Sequence, residues 1–218
     1  MRADGTVSSL STALPLASVY MKQSQRSPAG KLVLIIGPSG VGKSVILQAL
    51  RDRHPDFVFP RSATTRARRK GEGTDLYRFV SDEEFDRLIE ENKVLESAVV
   101  HGTERYGTLA DEIIPAIDDA RVVIREVDVQ GFDSIRKHRY FREGGTHPLQ
   151  SIFILPEKRE RLIERIRNRA PISEEELRRR IASMDNELDH AAECDVKIVN
   201  HEGKLQETIV AVEKAILG

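Results

Sequence analysis

The chain has 218 residues, 39% of them hydrophobic, which is enough for one compact domain with a buried core and argues against a disordered protein. Thirty-four basic residues face 35 acidic ones for a net charge of −1, so the basic excess of a general nucleic-acid binder is missing. A single cysteine, Cys194, excludes an internal disulfide or a cysteine-built metal site and suits a reducing compartment; no apolar run approaches the ~20 residues of a membrane-spanning helix.

Residues 1–29 are rich in Ser, Thr and Ala, and Pro15 interrupts their one mildly apolar stretch. Asp4 stands where a secretory signal or transit peptide would carry basic charge. The expectation is a disordered extension, or sequence upstream of a start at Met21. A cytoplasmic location follows, with organelle targeting by residues 1–29 left open.

The first regular element is Leu32–Ile36, a short apolar run of the kind found in buried strands. Gly37, Pro38, Ser39, Gly40, Val41, Gly42, Lys43 and Ser44 follow and fit the phosphate-loop pattern G-x-x-x-x-G-K-[ST]. A helix over Val45–Arg53 is expected next, with Ile46, Ala49 and Leu50 on one face. The glycines let successive N–H groups converge on an anion, and the helix N-terminus adds partial positive charge. Lys43 supplies a mobile cation for the outer phosphates, and the Ser44 hydroxyl can ligate magnesium. The motif therefore implies a nucleoside triphosphate, without saying what it is used for.

Phe57–Phe59 reads as a second strand, and Arg61–Lys70 as too polar and basic to be core. Gly71, Gly73 and Thr74 mark a turn before a strand at Leu76–Val80. Ser81 with Glu84 forms a capping box for a helix over Asp82–Glu91. Strands at Val94–Glu96 and Ala98–His101 precede a turn at Gly102-Thr103, and Leu109–Asp119 reads as a helix. Val122–Ile124 is a further buried strand. It leads to Glu126 and Asp128, which project to the same side at its carboxyl end, where open α/β sheets place ligands. Ser151–Leu155 is another core strand. Pro171 breaks the arginine-rich stretch beyond it. Ser173 and Glu176 then cap a helix that buries Leu177, Ile181, Met184 and Leu188. Val196–Val199 is the last strand, and Leu205, Ile209, Val212 and Ile216 stripe the last helix.

Strands alternating with helices predict a three-layer α/β fold of the phosphate-loop type, with a parallel core sheet. Residues 30–218 form the domain, with core segments 30–60, 108–160 and 191–218. A small mixed α/β insert over 61–107 and a helical lid over 161–190 interrupt them. Arginine density on both excursions calls for a second phosphorylated substrate, because planar guanidinium forks offset repulsion between two polyanions. Asp128-Val129-Gln130-Gly131 matches the D-x-x-G of GTPases, yet no N-K-x-D motif follows.

In order and spacing, several further motifs resemble those of the guanylate kinase family across residues 31–217. Besides GPSGVGKS they are Ser62-Ala63-Thr64-Thr65-Arg66 with Arg69, Gly71-Glu72, Tyr77-Arg78-Phe79-Val80-Ser81, Val94-Leu95-Glu96, Tyr106-Gly107-Thr108 and Asp128-Val129-Gln130-Gly131. The resemblance implies Mg2+-dependent transfer of a phosphoryl group from ATP to GMP or dGMP, in purine metabolism, by a monomer or homodimer without nucleic-acid or membrane partners. It implies that Ser62, Arg66, Arg69, Tyr77 and Tyr106 hold the GMP phosphate. Glu96 would accept from the guanine N1–H and amino group, and Thr108 would donate to its oxygen. Asp128, with Glu126 beside it, would act near the base or the magnesium water shell. Lys43, Arg66, Arg165, Arg169 and Arg180 would carry catalysis, the last three from the lid. Asn200 would face the adenine side. Glu126 stands where the family often has Asp, and Leu109 where a hydroxyl commonly follows. The rival readings are a phosphate-loop kinase for another phosphorylated acceptor and a non-catalytic interaction module of the same fold.

Overall fold

The computed structural model describes residues 30–100, 102–169 and 173–218. The expectations for residues 1–29, for His101 and for the break at Pro171 lie outside them.

Four strands form the core sheet. β1 (Lys31–Ile36) is central; β6 (Val122–Glu126) and β7 (Leu149–Pro156) flank it, and β8 (Val196–Asn200) pairs with β7, every pairing being parallel. The apolar run of β1 is explained by burial on both faces. Val33 and Ile35 pack into one core with Ile46 and Leu50. Leu32, Leu34 and Ile36 pack into the opposite core with Ile113, Phe132 and Ile135. Side-chain alternation along the strand thus divides one sequence between two cores. On the first face lie α1 (Lys43–Arg53), α5 (Arg159–Arg169), α6 (Glu174–Asp189) and α7 (Leu205–Leu217). On the second lie α3 (Ile114–Asp118) and α4 (Val129–Lys137). Fully burying a side chain such as Ile46 or Leu50 contributes about 1.5–3 kcal/mol, so the α1 face alone anchors the phosphate loop to the sheet.

A second, mixed sheet is built from the insert. β2 (Ser62–Thr64) runs parallel to β3 (Tyr77–Phe79) and antiparallel to β5 (Glu104–Leu109), and β5 pairs antiparallel with β4 (Val94–Val100). Helix α2 (Asp82–Glu90) begins at Ser81, whose side chain accepts from the Glu84 amide as the capping box requires. Phe85 and Leu88 of α2 meet Ala63 and Leu109 in a small separate core. Gly107 makes that packing possible, since a Cβ there would lie 2.9 Å from Phe85 Cζ.

The three-layer fold with its mixed insert and helical lid is as expected, and several local readings are corrected. Phe57–Phe59 contributes one parallel bridge, Val58 to Val123, in which Val58 alone exchanges backbone bonds with Val122 and Ile124, directly after the turn at Pro55-Asp56. Ser62–Thr64, read as too polar for core, is a buried strand; Thr64 is fully buried and its hydroxyl accepts from the Arg66 amide. Tyr106–Leu109 is strand, so the expected helix over Leu109–Asp119 begins late, with a single 3-10 turn at Ala110–Glu112 before α3 and Pro115 in its first turn. Ser173 caps α6 by accepting from the Glu176 amide, as expected. None of the described helices is long and apolar enough to cross a membrane.

Candidate active site

The phosphate loop joins β1 to α1. Its backbone turns through left-handed conformations at Gly40 and Gly42, open to glycine without the cost a Cβ imposes. Gly42 is doubly constrained: at φ +110° it occupies the cap of α1, and a Cβ would lie 2.8 Å from Asn200 Nδ2. Asn200 braces the loop. Its Nδ2 donates to the Val41 carbonyl at 2.8 Å, and its Oδ1 accepts from Thr208 Oγ1 at 2.9 Å. Expected on the adenine side, Asn200 is here a support for the loop backbone. Lys43 Nζ donates to the Gly37 carbonyl at 2.5 Å and to the Pro38 carbonyl at 3.2 Å, and stands 3.5 Å from Glu126 Oε1. Ser39, Gly40 and Ser44 are exposed toward the cleft, whereas Pro38 and Val41 are buried under the loop.

One cavity of about 820 Å³ runs from this loop to the insert. Its wall holds Gly37, Ser39, Gly40, Gly42, Lys43 and Ser44 at one end, and Ser62, Tyr77 and Glu96 at the other. Glu126 and Asp128 line it between the two ends, reached from the carboxyl end of β6. Asp128 also caps α4, its Oδ1 accepting from the Gly131 amide at 2.8 Å. That fixes the side chain by hydrogen bonding to an otherwise unpaired helix N–H.

Register places the insert residues. Glu96 and Thr108 lie directly opposite each other on β4 and β5, and Ser62 pairs with Thr108 on β2. The Thr108 hydroxyl, expected at the acceptor base, is donated to Glu96 Oε1, and Thr108 is fully buried. Burial pushes the Glu96 carboxyl above its usual range, against the opposing pull of the Thr108 hydrogen bond and of Arg125.

Arg66, expected at the acceptor phosphate, does not line the cavity. Both its terminal nitrogens bond Glu72, at 2.6 and 3.0 Å, and its Nε donates to the Tyr106 hydroxyl at 3.1 Å. The guanidinium also lies over the rings of Tyr77 and Phe79. Hydrogen bonds from Arg66, then from the Arg69 amide, hold the Glu72 carboxyl down at about 2. Arg69 itself is exposed. Tyr77 and Tyr106 meet edge to face at 5.9 Å.

On the lid, Arg165 Nη1 donates to the Gly40 carbonyl at 3.0 Å, tying α5 to the phosphate loop. Arg180 is exposed and bonds Glu176 one turn away on its own helix, at 2.9 Å. Arg169 is the last residue of α5.

Arg125 and Glu187 are among the cavity residues that sequence reasoning does not single out. Arg125 lies between Ile124 and Glu126 on β6, and its Nη2 donates to Ser62 Oγ at 2.8 Å. Its one signal is a charge inside an apolar strand. Glu187 reaches the cavity from α6, and its carboxyl accepts from Ser183 Oγ at 3.1 Å. Desolvation raises its pKa above the ordinary value, which nearby Lys43 opposes. Its one signal is a carboxylate beside the Ile181, Met184 and Leu188 stripe.

Known proteins resemble this chain in sequence and in fold. A family model described as Guanylate kinase matches residues 29–217. The "Guanylate kinase" of Thermosynechococcus vestitus (strain NIES-2133 / IAM M-273 / BP-1) is 40% identical over 190 residues, 86% of this chain and 93% of that protein. That of Trichormus variabilis (strain ATCC 29413 / PCC 7937) is 38% identical over 191 residues, 87% of this chain and 91% of that protein. Among solved structures, a guanylate kinase from Anaplasma phagocytophilum superposes with a TM-score of 0.58 at 28% identity, covering 87% of this chain and 86% of that one.

Proposed function

This chain belongs to the guanylate kinase family, and from that premise we propose that it transfers the γ-phosphoryl group of ATP to GMP or dGMP, giving ADP and GDP or dGDP, in purine nucleotide metabolism. The observation that carries this reading is the single continuous cavity joining the phosphate loop to Glu96, Ser62 and Tyr77. A donor triphosphate and an acceptor monophosphate have to meet end to end, and one cavity lets them do so.

Two unit negative charges 4 Å apart repel by about 4 kcal/mol at an effective dielectric near 20. Phosphates carry more than one charge each, so cations must be gathered where they meet. Lys43 would leave the loop carbonyls for the donor's outer phosphates, while the loop amides and the α1 terminus hold the rest. Arg69, Ser62, Tyr77 and Tyr106 would bind the acceptor phosphate, and Arg66 would join them by releasing Glu72. Arg165, Arg169 and Arg180 would close from the lid and exclude water. The acceptor phosphate is already ionised near neutral pH, so no general base is required; positioning and charge neutralisation supply the rate.

The donors near the loop fit a magnesium ion. Ser44 offers an exposed hydroxyl, and Glu126 and Asp128 offer carboxylate oxygens in the same cavity. Magnesium commonly takes one or two protein oxygens and completes its shell with substrate phosphates and waters. Ser44 would hold it directly and Asp128 through water; when bound, it would neutralise charge on the transferring group.

A rate panel with ATP and Mg2+ over GMP, dGMP, AMP, UMP and ribose bisphosphate tests the proposal. GMP is expected to be fastest, with dGMP next. Turnover of another acceptor in preference to GMP, or of none, would overturn it.

A further inference from the structure

Arg125 is poorly accounted for by its protein neighbours. One guanidinium N–H bonds Ser62 Oγ, and Glu96 Oε1 stands 3.9 Å from Nη2, beyond hydrogen-bond reach. Its Nε is buried without a partner among the described residues. A guanidinium carries five N–H donors, and burying such a cation incompletely paired is costly. Desolvation lowers its pKa from the ordinary arginine value, as burial of a cation should. Arg125 nonetheless lines the same cavity as Glu96, Ser62 and Tyr77.

The Thr108 contact narrows what Arg125 could do. A threonine hydroxyl has one hydrogen to give, and that of Thr108 goes to Glu96. Donating to a carbonyl on the ligand would mean giving up that bond, and Thr108 is fully buried. The next residue, Leu109, is fully buried and apolar. On the cavity wall the Arg125 guanidinium stands 3.9 Å from Glu96 Oε1, with N–H donors to spare.

A carboxylate beside a guanidinium is an acceptor beside a donor. Its complement is a ligand edge with an N–H next to a carbonyl, which is the edge a 6-oxopurine presents. The corresponding edge of adenine is reversed, a ring nitrogen lone pair beside an amino group, so both contacts would be mismatched. We propose that Arg125 is a specificity-determining residue that donates a hydrogen bond to the six-position carbonyl of the acceptor base, beside Glu96. The inference rests on the proposed acceptor being GMP, and it assigns to β6 the contact expected from Thr108.

The test compares GMP with 6-thioguanosine monophosphate, which keeps the N1–H and amino group but replaces the carbonyl oxygen with a poorly accepting sulfur. Affinities are measured by calorimetry for the wild type, Arg125→Leu and Arg125→Gln, with turnover of GMP by the wild type measured in parallel. A lost charge-assisted hydrogen bond is worth roughly tenfold or more in affinity. The wild type should bind GMP about tenfold more tightly than the thio analogue. R125L should lose about tenfold for GMP, and its preference for oxygen over sulfur should fall to within about twofold. R125Q, which keeps an N–H donor, should recover part of the preference. Unchanged ATP affinity shows that the variants are folded. If the wild type turns over GMP and R125L keeps the full preference for GMP over the thio analogue, the role of Arg125 is overturned and the kinase reading stands. If the wild type neither binds nor phosphorylates GMP, the kinase reading falls and this inference with it.

Discussion

Thr108 and Glu96 are direct cross-strand partners on β5 and β4, and the threonine hydroxyl donates to the carboxylate at 2.5 Å. A fixed, half-buried carboxylate is a selective reader, because a ligand that cannot donate to it leaves it with Thr108 alone as a hydrogen-bond donor at close range. Glu96→Ala is therefore expected to raise the KM for GMP by about a hundredfold or more, the result of losing two charge-assisted hydrogen bonds at about 1.5–3 kcal/mol each. The KM for ATP should move less than about threefold. Steady-state kinetics with each substrate varied in turn checks this, and equal losses for both nucleotides would remove Glu96 from the acceptor pocket.

Lys43 rests on the carbonyls of Gly37 and Pro38 and stands 3.5 Å from Glu126 Oε1, so its polar partners are the loop backbone and one carboxylate. Lys43→Ala should leave the melting temperature nearly unchanged and reduce kcat by about 10²–10³ or more, the scale of losing one charge-stabilising group at a transferring phosphoryl. A coupled assay alongside thermal unfolding separates the two effects. Retention of most of the wild-type rate would exclude the phosphate-contact role.

The Arg66–Glu72 pair predicts an acid limb in stability. Glu72 titrates at about 2 when folded, against an ordinary value of 4.5. Between those values the unfolded chain binds a proton that the folded chain does not, so stability rises with pH there. The contribution is fully present above about pH 4.5 and is lost as pH falls toward 2. Glu72→Gln lacks the titrating group, so the melting-temperature gap between wild type and variant should narrow from pH 6 to pH 3. A gap independent of pH would show that the ion pair is not what Glu72 contributes.

Asn200 joins Thr208 to the Val41 carbonyl. Asn200→Ala leaves that carbonyl short of a partner, at about 1–2 kcal/mol, a drop in melting temperature of roughly 2–8 °C for a chain of this size. ATP affinity should fall with it. Thr208→Val should give a smaller loss in the same direction, and the double variant should lose less than the sum, since both act through one amide. Strict additivity would mean that the two contacts are independent.

Most of the frame is legible in the chain. Leu32–Ile36 is apolar throughout because both faces are buried, and the capping residues Ser81 and Ser173 are local devices whose partners lie three residues away. Sequence patterns mislead where a long-range partner decides. Ser62–Thr64 is polar yet buried, because β5 and β3 satisfy its backbone from either side. Tyr106–Leu109 becomes strand through pairing with β2 and β4, with Gly107 admitting Phe85. Arg125 and Glu187 are hidden for the same reason: a charge in an apolar element declares itself only when the cavity it faces is known. The engagement of Arg66 by Glu72 depends on the fold of one turn, which spacing alone does not specify.

The bond from Arg165 to the Gly40 carbonyl bears on how the lid behaves between turnovers. A single solvent-exposed hydrogen bond of this kind shifts a population by less than about fivefold. What seats α5 beside the loop is instead the shared core, in which Leu162 and Ile166 are buried together with Val41. The guanidinium is therefore a light tether on a helix whose footing is apolar, and losing it should loosen the polar side of α5 without unseating the helix.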